Sequence, residues 1–225
     1  MDRHHEGEPA SPTVYLVGGG PSLRGFDWSR LENRNVIAIN KAALDGRVPW
    51  TRMLSMDLGF WKLHGADVES VADGRPCVHV CVGDEKLPEH GPTVVVPCCV
   101  PCCVHEGPNP HLVAAWGRNG DVGCGGSSGY AALNYAAEIG YTWIVLLGYD
   151  CRGDGRGGQA WWHDGYPWQQ SEAVYERQLA AFRDGVPPEV RERVRVVGPS
   201  RLIDEGVFRA VWWDKSRGGS GRWPR

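Results

Sequence analysis

Three stretches carry residue types that could do chemistry together. "LVGGGPSL" (16 to 23) leaves an apolar run through Gly18, Gly19 and Gly20 into Pro21 and Ser22. Glycines let a ligand approach the backbone, and Pro21 with Ser22 can open a helix whose N–H groups attract anions. "GGSSGYAALNYAAEIG" (125 to 140) offers a second such turn, with Ser127 and Ser128 as candidate caps and Gly129 beside them. "QAWWHDGYPW" (159 to 168) sets His163 and Asp164 among three tryptophans and Tyr166. An imidazole that titrates near neutrality can take a proton from an attacking hydroxyl, and a carboxylate such as Asp164 can orient it. The aromatics around it can stack on a sugar or a base.

These residues need a scaffold that brings strand ends together. "TVYLV" (13 to 17), "NVIAIN" (35 to 40), "TWIVLLGYD" (142 to 150) and "VRVVGPS" (194 to 200) are short, nearly continuous apolar runs that stop at turn residues, as strands buried on both faces do. Helices are predicted over 127 to 140, stopping at Gly140, and over 171 to 185, from Ser171 to Gly185, with Tyr175, Leu179 and Phe182 on one face. The alternation predicts an α/β fold, a Rossmann-like three-layer domain with a mainly parallel sheet, in one domain over 13 to 213. Residues 1 to 12 and 214 to 225 read as flexible ends. Ligands of such sheets sit beyond the carboxyl ends of the strands, which singles out Gly18 to Ser22, Asn40 to Lys41, Gly148 to Asp150 and Gly198 to Ser200. The region from about 60 to 124 shows no sustained period.

Two common phosphate motifs are excluded. The G-x-G-x-x-G fingerprint fails because Leu23 stands where its third glycine belongs and Asn40 replaces the acidic residue of the second strand. A Walker loop fails because the chain contains no Gly-Lys dipeptide.

Taken in order, "VYLVGGGPSLRGFDWSRL" with "VIAINKA", then "GGSSGYAALNYAAEIGYTWIVLLGYD", then "WWHDGYP" resemble the superfamily that joins bacterial lipooligosaccharide sialyltransferases to the 6-hydroxymethylpterin pyrophosphokinase-like proteins, many of them phage-encoded. The resemblance covers roughly the first and last thirds of the domain. It implies that Gly18, Gly19, Gly20, Pro21 and Ser22 approach a nucleotide, that Asn40 lies near its base or phosphate, and that Ser127, Ser128 and Gly129 form the second contacting turn. It also implies His163 as the base, and Tyr166 as a group that stabilises a leaving phosphate. Asp150 reads equally as a turn cap or as a ligand to phosphate or Mg²⁺.

The expected function is therefore a nucleotide-sugar-dependent transferase working by single displacement, its acceptor a glycan or phage DNA. The alternatives are Mg²⁺-dependent pyrophosphoryl transfer from ATP to a small hydroxymethyl compound, with Asp57, Asp150 and Asp154 near the phosphates, and nucleotide binding without catalysis. Many phage relatives carry further histidines in the loop around His163, whereas this chain has only that one.

"PCCVPCC" places Cys98, Cys99, Cys102 and Cys103 together, and a zinc knuckle there needs a second pair from Cys77, His79, Cys81 or His105. The preferred reading is a buried strand of reduced cysteines, since eight cysteines in 225 residues without an apolar leader fit a reducing, cytoplasmic setting. A net charge of −3 gives no electrostatic reason to expect a duplex-binding surface, although Arg191, Arg193 and Arg195 cluster locally. The longest apolar run, 94 to 104, is too short to span a bilayer.

Overall fold

The computed structural model describes residues 13–81, 88–98, 116–153, 161–163, 166 and 170–211. Strands β1 (Thr13–Val17), β2 (Asn35–Ile39), β3 (Arg52–Ser55), β4 (Cys77–Cys81), β5 (Val94–Pro97), β6 (Trp143–Leu147), β7 (Val194–Val197) and β8 (Arg209–Val211) form one sheet in the order β5-β4-β3-β2-β1-β6-β7-β8. Every pair is parallel. All five residues of β1 are buried, which is why the run carries no polar alternation.

The helices are α1 (Leu58–Ala72), α2 (Ser128–Glu138), α3 (Glu172–Gly185), α4 (Pro188–Arg191) and α5 (Arg201–Asp204). On one face of the sheet α1 and three 3-10 segments, Pro21–Leu23, Trp28–Leu31 and Asn40–Leu44, cover Tyr15, Val17, Val36, Ala38, Val145 and Leu147. On the other, α2 to α5 cover Val14, Leu16, Ile37, Ile39, Ile144 and Leu146. The α/β three-layer arrangement expected from the sequence is thus the observed one.

The chain builds outward from β1 to β5, returns through α2 to place β6 beside β1, and builds outward again. The strand order therefore reverses between β1 and β6, and at such a point the two connections part and leave a crevice beyond the strand ends. The register pairs Val17 with Leu147, so the two chains leave the sheet side by side into the glycine turn and into Gly148 to Asp150.

Local chemistry sets the helix limits. Ser127 caps α2, its Oγ accepting from the Tyr130 N–H at 3.2 Å, and Gly140 follows with φ +94°. Asp57 caps α1, its Oδ1 accepting from Gly59 and Phe60 at 2.8 and 3.2 Å. Two sequence expectations shift. Ser171 is the N-cap residue of α3 but makes no side-chain cap bond, and Gly185 lies inside the helix, which stops at extended Val186 because Pro187 follows.

Candidate functional site

The crevice at the strand-order reversal is a cavity of about 610 Å³. Its walls come from the exits of β1, β2, β3 and β6, the start of α2, one face of α3, and Trp161, His163 and Tyr166. Of the residues the sequence singled out, Gly18, Gly19, Gly20, Asn40, Ser127, Ser128, Gly129, Asp150, His163 and Tyr166 all line it. Pro21, Ser22, Lys41 and Gly198 to Ser200 do not; the last three buttress the β6 exit, with Ser200 Oγ donating to the Tyr149 carbonyl at 2.5 Å and Arg201 N–H to the Asp150 carbonyl at 3.1 Å.

The glycine turn is locked to β6. Gly18 N–H donates to the Leu147 carbonyl and Gly20 N–H to the Gly148 carbonyl, both at 2.8 Å. Ser22 gives its N–H and its hydroxyl to the two oxygens of Asp150, at 2.7 and 2.5 Å. Most of the N–H groups expected to cradle an anion here are thus bound inside the chain; among the described residues the Gly19 N–H is the one left without a partner. The glycines answer a packing need as well. A Cβ on Gly20 would stand 2.5 Å from Asp150 Oδ1 and 2.6 Å from the Gly148 carbonyl oxygen.

Asp150 accordingly acts as a cap for the first turn. It is buried, and burial pushes its carboxyl above the usual aspartate value against the opposing pull of the Ser22 hydrogen bonds and the Arg152 guanidinium.

The second turn is more open. Ser127 Oγ serves Tyr130, and Ser128 Oγ accepts from the Met56 N–H at 3.2 Å, which ties α2 to the β3 exit. The Tyr149 hydroxyl donates to the Gly129 carbonyl at 3.1 Å. The Ser128 and Gly129 N–H groups have no partner among the described residues, as befits the first turn of a helix. They and the Gly19 N–H belong to residues lining the same cavity.

His163 is buried, and its segment docks on the glycine turn. Trp162 donates its backbone N–H to the Gly19 carbonyl at 3.1 Å and its indole Nε1–H to the Gly18 carbonyl at 2.7 Å, while Arg24 Nη2 donates to the Trp161 carbonyl at 3.3 Å. The space a Cβ on Gly19 would occupy is 2.8 Å from Trp161 Cδ1 and 3.3 Å from His163 Nε2. Three consecutive glycines therefore allow the first and third motifs to touch. Asp164 lies outside the described residues.

The Tyr166 ring stands 6.0 Å from that of His163, and its oxygen meets the Lys41 N–H and the Asn40 side chain. Burial pushes its phenol up to about 12, so it stays protonated and able to donate. Asn40 has φ +52° and its Oδ1 is buried without a hydrogen bond; Cys151, at the β6 exit, has φ +51°. Asparagine adopts this region readily and cysteine rarely, and Asn33, Asp73 and Asn119 adopt it away from the cavity, so of the two the Cys151 backbone is the strained one. Sequence reasoning left out Arg152, Gln170 and Gln178 and read Tyr175 only as part of the apolar face of its helix, whereas all four line the cavity from the β6 exit and the α3 side. Ordinary helix and loop patterns gave none of them a signal as a site residue.

The described cysteines do not converge. Cys77 packs under α1 and Cys98 on the opposite face of the sheet, while His79 accepts from Trp61 Nε1 at 3.0 Å in the core. No cluster of three or more metal-ligating side chains occurs among the described residues; Cys99, Cys102, Cys103 and His105 lie outside them, as do 1 to 12 and 214 to 225. No described helix is long and apolar enough to cross a membrane.

No family model matches the chain, and no curated protein matches it. Among solved structures, MAf glycosyltransferase from Magnetospirillum magneticum AMB-1 is similar over 92% of this chain with a TM-score of 0.55 and 13% sequence identity. The match spans 34% of that protein, so this chain corresponds to about a third of its length. At that identity the likeness speaks for the fold alone, which in this chain is the all-parallel Rossmann-like sheet described above.

Proposed function

We propose that the protein is a glycosyltransferase-like enzyme that takes its sugar from a nucleotide donor. The observation that carries this reading is the meeting, in one cavity at the strand-order reversal, of N–H groups on Gly19, Ser128 and Gly129 that have no partner among the described residues with the buried imidazole of His163. The α2 N-terminus and these N–H groups suit the donor phosphate, and the protonated Tyr166 phenol supplies a further donor to it.

The His163 ring takes the proton of the acceptor hydroxyl as its oxygen bonds to the anomeric carbon. The bond from that carbon to the donor phosphate breaks, and the nucleotide leaves with the electron pair. Donors already in place at the leaving oxygens stabilise the charge that develops there. A divalent cation bound here would neutralise phosphate charge, and Asp57, whose second carboxylate oxygen has no hydrogen bond among the described residues, is the residue suited to hold it.

Pyrophosphoryl transfer fits less well, because Asp150 is committed to Ser22 through both oxygens. Thermal unfolding with CMP, UDP, GDP, ADP and ATP, each with and without Mg²⁺, tests the proposal, since a ligand of the folded state raises the midpoint by mass action. A rise with CMP or UDP is expected. A rise confined to ATP with Mg²⁺ points to pyrophosphoryl transfer, and no rise with any of them overturns the nucleotide site. Full transferase turnover in His163→Ala removes the base.

A further inference from the structure

Two arginines face the carboxylates of α3 and of the α5 end, and they are served unequally. Arg201 holds three of them: Nη1 donates to Glu172 Oε1 at 3.1 Å and to Glu176 Oε1 at 2.6 Å, and Nη2 donates to Glu205 Oε1 at 2.8 Å. Arg152 holds one, its Nη2 donating to Asp204 Oδ2 at 2.6 Å. The Nε–H of Arg152 is buried, out of reach of water, and has no hydrogen-bond partner among the described residues. Burying a donor of a charged group without a match costs free energy, so this guanidinium calls for an acceptor that the described chain does not supply.

Arg152 lines the cavity and Arg201 does not; among the described residues Arg152 is the one lysine or arginine that does so. Its seat is fixed. Arg201 N–H donates to the Asp150 carbonyl and Ser200 Oγ to the Tyr149 carbonyl, which ties the β6 exit to α5, the helix that carries Asp204. Between Asp150 and Arg152 the chain turns at the strained Cys151. The carboxylates that line the same cavity have other duties: Asp150 gives both oxygens to Ser22, and Asp57 caps α1. The α3 wall is uncharged, built from Val174, Tyr175, Gln178 and Phe182, while Glu172 and Glu176 of that helix are drawn off to Arg201. The cavity thus holds one fixed cation with a single carboxylate to balance it.

We infer that Arg152 binds an anionic group of the substrate, a phosphate or a carboxylate, and so selects substrates that carry one on the α5 side of the cavity. A guanidinium presents its N–H groups in a planar fork that matches the oxygens of either group, and Asp204 occupies only the Nη2 part of that fork. A neutral substrate leaves the rest of it unmatched, which is how a site built around a charged donor discriminates. The place of this anion in the transfer rests on the proposed nucleotide site, but the anion site itself does not.

Inorganic pyrophosphate and malonate are the probes, titrated at fixed ionic strength into the wild type, Arg152→Gln, Arg152→Lys and Asp204→Asn, with thermal midpoints and calorimetric dissociation constants as readouts. At least one probe raises the wild-type midpoint, and its binding weakens about tenfold or more in Arg152→Gln and less in Arg152→Lys, which keeps the charge without the fork. Asp204→Asn breaks the same internal contact and keeps the response. A loss confined to pyrophosphate assigns Arg152 to the donor phosphates, and a loss with malonate assigns it to a carboxylate on either reactant. The inference is overturned if neither probe raises the wild-type midpoint, if Arg152→Gln binds both as the wild type does, or if Arg152→Gln and Asp204→Asn lose the response alike, which is the mark of a bridge that only holds the fold. Should Arg152→Gln fold poorly, Arg152→Lys against Asp204→Asn makes the same comparison. If no nucleotide shifts the midpoint while a probe acts through Arg152, the nucleotide reading fails and the anion site stands; if nucleotides shift it and the probes ignore Arg152, this inference alone falls.

Discussion

Ser22 holds Asp150 with two hydrogen bonds across 128 residues of sequence, its N–H at 2.7 Å from one carboxylate oxygen and its hydroxyl at 2.5 Å from the other. This clasp joins the exits of β1 and β6, the pair of strands between which the sheet reverses its order. Whatever enters the crevice meets a rim fixed by one serine and one aspartate.

The clasp has a pH signature. Burial raises the Asp150 carboxyl above its ordinary value, so the folded chain binds that proton more tightly than the unfolded chain does. Its contribution to stability is then complete below the ordinary aspartate pKa and is lost as pH rises through the raised folded value. Asp150→Asn does not titrate. The stability of the wild type minus that of Asp150→Asn, from urea unfolding at a series of pH values, should decline over that window. A difference that is flat or grows with pH contradicts the assignment. Ser22→Ala, which removes one of two partners from a buried carboxylate, should lower stability by about 1–3 kcal/mol.

The two neighbouring glycines should fail differently. In Gly20→Ala the new methyl meets the Gly148 backbone carbonyl, which cannot rotate away, and destabilisation of about 1–3 kcal/mol is expected in thermal unfolding. In Gly19→Ala it meets the Trp161 and His163 rings. Those rings can shift, so stability should fall less while nucleotide-dependent turnover falls more. Equal loss of both properties in the two variants would argue against a separate docking role for Gly19.

Trp162→Phe keeps a ring against Trp28, whose centre is 4.7 Å away, but removes the indole N–H that serves the Gly18 carbonyl. A loss of about 1 kcal/mol in urea unfolding is expected for that bond. The larger effect should appear in the His163 ring resonance, which is expected to shift and broaden as the segment loosens. An unchanged resonance would mean that Trp161 and Arg24 hold the segment without Trp162.

The buried thiols should be inert. Burial raises Cys77 to about 11 and Cys151 to about 12, the latter with help from the Asp150 charge. At pH 8 neither has an appreciable thiolate population, so site-resolved alkylation followed by mass spectrometry should label both only after unfolding. Rapid labelling of Cys151 in the native protein would show that the β6 exit opens.

The sequence determined the parts that depend on local patterning. A strand buried on both faces has to be apolar throughout, so β1, β2, β6 and β7 stood out at Thr13–Val17, Asn35–Ile39, Trp143–Leu147 and Val194–Val197. The cap of α2 was legible for the same kind of reason, since Ser127 bonds to a group three residues away. Helix α1 was not, because its buried Phe60, Trp61, Gly65, Val68 and Ala72 are interleaved with exposed Leu63 and charged residues. Strand β8 was too short, and β4 too rich in cysteine and histidine, to read as strands. What only the tertiary structure decided is which groups meet across the β1–β6 boundary and over the glycine turn. The Asp150 clasp, the missing room for a Cβ on Gly19 and Gly20, and the docking of Trp162 on the Gly18 and Gly19 carbonyls all join residues brought together by strand order. Strand order follows from the packing of both sheet faces at once, and no local stretch of chain contains that information.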